Sequence, residues 1–178
     1  MLEEIFVTLS AELEKINVDL GRLAVTMREL TDRLDVVSKQ LRRNTTVRDT
    51  SFEADFRAAG ESIVRLTNAL EDLWKKAGEH VRGAHAANIE QGCEISIREF
   101  SSRAKETVKV IAELSSTFAY LQIQSRGLQL RLNWLALETN VEILAKLSPK
   151  ILFTIRELGK VIEEASSAGR NKQDQKGN

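Results

Sequence analysis

LEEIFVTLSAELEKINVDLGRLAVTMRELTDRLDVVSKQL, residues 2–41, places large apolar side chains at Leu2, Phe6, Leu9, Leu13, Ile16, Leu20, Leu23, Met27, Leu30, Leu34, Val37 and Leu41. The steps alternate four and three without a miss. That is a heptad seam, and at about 1.5 Å per residue it predicts a helix roughly 60 Å long. The positions beside the seam decide what kind of helix it is. Glu3, Ser10, Asn17, Ala24, Thr31 and Ser38 line one side, and Ile5, Glu12, Asp19, Thr26, Arg33 and Gln40 the other; only four of these twelve are charged. A free two-stranded zipper usually charges these flanks, so weakly polar ones predict a helix that touches more than one neighbour, as in a bundle.

Composition points the same way. One Pro, nine Gly and 5% aromatic residues in 178 is the make-up of long helices, and the length suits one domain with a real core. Lys plus Arg equals Asp plus Glu at 26 each, so no net field draws the chain to nucleic acid or to an anionic membrane. Cys93 is the single cysteine and has no internal disulfide partner, which fits a reducing compartment. The acids of MLEEIFVTLSAELEK do not suit a signal peptide. No run of about 18 apolar residues occurs; even Leu128 to Leu147 is broken by Arg131, Asn133, Glu138, Asn140, Glu142 and Lys146. A cytoplasmic protein is the expectation, without membrane contact.

Past Leu41 the periodicity stops, and Asn44 to Asp49 reads as a short reversal. Thr50 and Glu53 have capping-box spacing, so a second helix should start near Ser51. It carries Phe52, Phe56, Ile63, Leu66, Leu70, Leu73, Ala77 and Val81 on one face. GAHAANIEQG, residues 83–92, thins that pattern, and two readings stand there: a turn or kink near Asn88 to Gly92, or a helix crossing of small residues. The pattern resumes from Glu94 to Leu147. Ser148-Pro149 then reads as a stop followed by a short helix, because Pro disfavours helix at the preceding residue and suits the first turn of a new one. The predicted architecture is all-α: an elongated antiparallel bundle of about four helices at 2–43, 51–90, 94–147 and 149–167, one domain over 1–167, with a disordered polar tail at 168–178.

Candidate chemistry is thin. Glu79, His80, His85, Glu90, Cys93 and Glu94 are the densest set of metal-ligand types, but His80 and His85 are five apart and point about 140° from each other on a helix. No Glu-x-x-His pair of the di-iron bundle type and no Gly-x-x-x-x-Gly-Lys phosphate loop occurs in the sequence, and Cys93 has only His85 nearby as a base. No catalytic, cofactor or metal site is expected, and the chain is read as a non-enzyme. Arg42, Arg43 and Arg48 read as a solvated helix end, and Trp74 and Trp134 as core.

RLNWLALETNVEILAKLSP, residues 131–149, is apolar on more than one helical side and keeps polar residues among its apolar ones. Asn133, Asn140 and Glu142 sit either at seam edges, where a polar group sets register and partner number, or simply toward solvent. Asn133-Trp134-Leu135-Ala136-Leu137 with Val141-Glu142 resembles the Asn-Leu-Leu-Ala-Leu and Ile-Glu run in the cytoplasmic signalling hairpin of methyl-accepting chemoreceptors. Ile155-Arg156-Glu157-Leu158-Gly159 is similar to the Val-Arg-x-Leu-Ala run of its returning arm, and Glu163-Glu164 with Ser167-Ala168 to its methylated Glx pairs. The resemblance covers residues 131–165. It implies a hairpin tip at Lys146-Leu147-Ser148-Pro149, where the family carries a glycine-containing tip that binds the receptor-coupled kinase and its adaptor.

These readings predict a helical signalling or scaffold protein that acts through coiled-coil contacts and associates as a homodimer or higher oligomer. Its partner contacts are placed at Asn133, Trp134, Leu137, Asn140, Val141 and Glu142. The alternatives are a coiled-coil adaptor or delivered bacterial effector unrelated to receptors, and an amphipathic-helix membrane-active protein inserting Leu128 to Leu147.

Overall fold

The computed structural model describes residues 2–42, 50–84, 89–126 and 134–177. Four helices account for them: α1 (Leu2–Arg42), α2 (Thr50–Gly83), α3 (Gln91–Ser125) and α4 (Leu135–Lys176). The chain is an all-α bundle, as the heptad pattern predicts. α1 packs on α2 and α3, and α4 packs on the same two helices, so that α1 and α4 lie on one diagonal and α2 and α3 on the other.

Side-chain pairs set the directions. Arg33 of α1 meets Asp55 of α2, and Asp19 meets Arg65, so α1 and α2 are antiparallel. Phe6 meets Phe100 and Asn17 meets Thr107, so α1 and α3 run parallel. Phe56 of α2 meets Trp134 at the start of α4, and Phe118 of α3 meets the same ring from near its own end. α4 therefore runs parallel to α2 and antiparallel to α3. The helices run up, down, up, down, with α2 and α3 on opposite corners of the bundle.

The α1 seam is buried as read: Phe6, Leu9, Leu13, Ile16, Leu20, Leu23, Met27, Leu30, Leu34 and Val37 all lie in the core. One flank goes in with it. Ser10, Ala24 and Thr31 are buried and Asn17 half-buried, while Asp19 and Arg33 on the other flank pair with α2. The flank that carries Asn17 meets α3 and the one that carries Asp19 and Arg33 pairs with α2, so the two flanks serve two neighbours. On α2 the face Phe52, Phe56, Ile63, Leu66, Leu70, Leu73 and Ala77 is likewise buried, with Val81 packed against it.

The second half of the chain departs from the sequence reading. The second helix ends at Gly83 instead of 90, and α3 already includes Gln91 and Gly92 of the turn or kink expected near Asn88 to Gly92, while Asn88 lies outside the described residues. The third helix stops at Ser125 instead of 147, and the fourth spans Leu135–Lys176 instead of 149–167. Residues 168–176, expected as a disordered tail, continue that helix. The Thr50 side chain of the expected capping box, and the reversal expected over Asn44 to Asp49, fall outside the described residues.

A phase change explains the misplaced break. The α3 stripe Leu114, Phe118, Leu121 extrapolates in steps of four and three through Leu128 and Leu132 to Leu135. α4, however, buries Leu137, Val141, Leu144, Ile151, Leu158 and Ile162, and Leu135 is 70% exposed. One straight helix cannot present both stripes to one core. The backbone turns extended at Arg126 (φ −63°, ψ 129°), directly before Gly127.

Pro149 sits inside α4. A helix-interior Pro removes the bond to the carbonyl four residues back, here that of Ala145. Pro149 and Ala145 are both exposed, so water can bond that carbonyl, and the buried stripe continues on either side of it. Replacing Pro149 by Ala should therefore stabilise the protein by about 1–3 kcal/mol in urea unfolding. A loss of stability would instead indicate that Pro149 opens a separate helix.

Candidate interaction surfaces

Among the described residues, those expected to contact a partner do not share one outer surface. Leu137, Asn140 and Val141 are buried in the chain's own bundle. Asn140 Nδ2 donates to Ala136 O at 2.7 Å, a bond back to its own helix that sets no register with another chain. Trp134 stacks edge-on against Phe56 with ring centroids 4.8 Å apart, and lies 6.1 Å from Phe118. It closes one end of the core by joining α2, α3 and α4. Glu142 is exposed and pairs with Lys146 at 3.1 Å. Asn133 lies outside the described residues. The segment is core because α4 starts at Leu135 and turns this stripe inward. Trp134→Asp should thus lower stability by about 3 kcal/mol or more and broaden thermal unfolding; a fully stable variant with altered mass would restore the contact reading.

The polar register group lies elsewhere, between the parallel helices α1 and α3. Asn17 Nδ2 donates to Arg103 O at 3.0 Å, and Thr107 Oγ1 donates to Asn17 Oδ1 at 2.6 Å. Arg103 reaches across to Glu14 at 3.1 Å and along its own helix to Glu99 at 3.2 Å. Arg28 pairs with Glu113 further along the same seam. A side-chain amide satisfied at both ends by the facing helix fixes the axial position of α1 on α3, because a slip of one turn would take the half-buried Asn17 amide away from both of its α3 partners. Asn17→Ala should cost about 1–2 kcal/mol, and adding Thr107→Val should cost less than the sum of the two single changes. Full additivity would remove the coupling.

On the α1–α2 side Arg33 reaches Asp55 at 2.5 Å and Ser51 at 2.7 Å, and its guanidinium stands 5.6 Å from the Phe52 ring centroid. This clamps the start of α2 onto α1. The contacts border a groove of about 480 Å³ floored by Leu23, Ala59 and Leu66.

Cys93 is buried, and desolvation followed by the nearby Glu3 carboxylate raises its thiol pKa above the ordinary value. It is a core thiol held protonated. Among the described residues, no three His, Cys, Asp or Glu side chains converge as metal ligands, and no helix is long and apolar enough to cross a membrane.

One surface feature was not read from the sequence. Val7, Val18, Val25 and Val36 of α1 are each between 48% and 52% exposed. At about 100° per residue they fall within about 20° of one another, on the side of α1 opposite its buried seam. Val18, Gly21 and Val25 also form one wall of a groove of about 740 Å³ between α1 and α3, with Val110 on the other wall. The spacing was visible in the sequence, but the stronger seam drew the reading to the other face.

No protein-family model matches the chain, and none of the curated proteins is similar to it. Among solved structures, a chain from the crystal structure of the Unc18–syntaxin 1 complex of Monosiga brevicollis has a similar fold. Its TM-score is 0.50 at 13% sequence identity, over 92% of this chain and 80% of that one.

Proposed function

We propose that this chain is a non-enzymatic helical scaffold or signalling module of the cytoplasm, working through protein contacts made by the outer faces of its bundle. The observation that carries this reading is the valine row on α1. The bundle already has a complete core, so an aligned apolar row on the far side of its most buried helix has no folding role and suits a protein contact. The fold likeness to a chain from a protein–protein complex agrees with that use of a bundle.

A chemoreceptor-like signalling role is a narrower version of the proposal. From Leu135 onward, the stretches that resemble the arms of the receptor hairpin lie on the one helix α4, which passes through Lys146 to Pro149 without reversing. Kinase or adaptor binding on this chain would therefore use a helix face and not a hairpin tip.

Cross-linking of the native protein in its own cells tests the proposal. Lys15 and Lys39 are exposed on α1, as Lys150 and Lys160 are on α4. Cross-links to other polypeptides should concentrate on Lys15 and Lys39. Absence of any such cross-link, or leakage of dye-loaded lipid vesicles on adding the purified protein, would contradict the proposal.

A further inference from the structure

The valine row has an internal symmetry that names its occupant. Its steps are eleven, seven and eleven residues, so it reads the same from either end and its centre falls between Gly21 and Arg22. A second α1 laid antiparallel about that centre sets Val18 against the partner's Val25, and Val7 against the partner's Val36. Beside the row, Lys15 and Glu29 are exposed and equidistant from Arg22, so each Lys15 would meet a Glu29 of the other copy. Glu14 and Arg28, on the α3 side of the row, are held instead by Arg103 and Glu113 of their own chain. Arg22, which meets its own counterpart at the axis, has Asp19 at 3.7 Å to offset the repulsion. Gly21 offers no side chain at the point of closest approach, and a Cβ built there meets nothing within 4 Å.

We propose that the outer face of α1 is a self-association surface on which a second copy of this chain packs antiparallel, about a twofold axis beside Gly21. Such a contact is isologous, with the same patch on both subunits, and closes as a dimer. The row from Val7 to Val36 is about 44 Å long at 1.5 Å per residue. A helix-wide strip of that length buries roughly 450 Å² per copy, at the small end for specific interfaces, which sets the expected affinity in the micromolar range. The α1–α3 groove, with Ser102, Glu106 and Val110 on its α3 wall, extends the strip on one side. The dimer goes beyond the scaffold reading while resting on the same valine row, and its failure to form would leave that row open to another protein.

Sedimentation of the purified chain over about 1–200 µM reads the association directly. The wild type should move from 20.0 kDa to twice that mass. Val18→Glu with Val25→Glu should hold it at the monomer mass with helicity and thermal midpoint unchanged. Lys15→Glu should weaken association about tenfold, and adding Glu29→Lys should restore it, since the swap re-forms both pairs. In a Cys93→Ala background, Gly21→Cys should oxidise to a covalent dimer. Val7→Cys alone should not, but should join to Val36→Cys when the two are mixed. A wild type that stays monomeric throughout overturns the proposal. So does a valine double variant that still dimerises, or a Val7→Cys homodimer, which would show a parallel pairing.

Discussion

The burial of the α1 seam between α2 and α3 is the contact on which the rest of the bundle depends. Ten seam side chains from Phe6 to Val37 are removed from water along one helix, each contributing about 1.5–3 kcal/mol of gross transfer free energy. The same burial explains the diagonal layout. α1 fills the space that would otherwise let α2 and α3 lie side by side, and large rings such as Trp74 against Phe100 reach across that diagonal.

Around that seam, aromatic clusters close the two ends and polar groups fix the register between them. Phe6, Phe100 and Trp74 gather at one end, and Phe56, Phe118 and Trp134 at the other. Between them Asn17 and Thr107 bond across α1 and α3. Ser10 and Thr67 are buried without a hydrogen-bond partner among the described residues. Hydroxyls of that kind weaken a core, so the Asn17 pair, satisfied on both sides, is the one that can specify a single packing.

The first half of the fold was legible because one period runs through it: every described seam residue of α1 packs in the core, with Leu2 at its margin. The second half was not, because two local signals misled. Leu128 and Leu132 continue the α3 stripe in sequence, and only the two-residue phase difference between Leu135 and Leu137 marks the true break. Pro149 reads as a helix stop, yet the stripe from Leu137 to Ile162 passes it in step, and that continuity decides the matter energetically. Leu137, Asn140 and Val141, expected at a contact surface, face the core for the same reason, since a segment placed toward the end of one helix opens the next. Asn17 stood in view as a flank position, but its partner Thr107 lies 90 residues away, beyond what spacing can reveal.

With the seam facing inward, the valine row faces out, and the functional reading rests on that division of α1 into two apolar sides. Its premise is that α1 lies parallel to α3 within one chain, in the register set by Asn17 and Thr107. Oxidising a chain that carries Asn17→Cys and Thr107→Cys in a Cys93→Ala background measures this directly. The account predicts a bond within the single chain, seen at monomer mass on a denaturing gel as a reducible shift in mobility. Failure to form that bond, or a bond found only between chains, would contradict it.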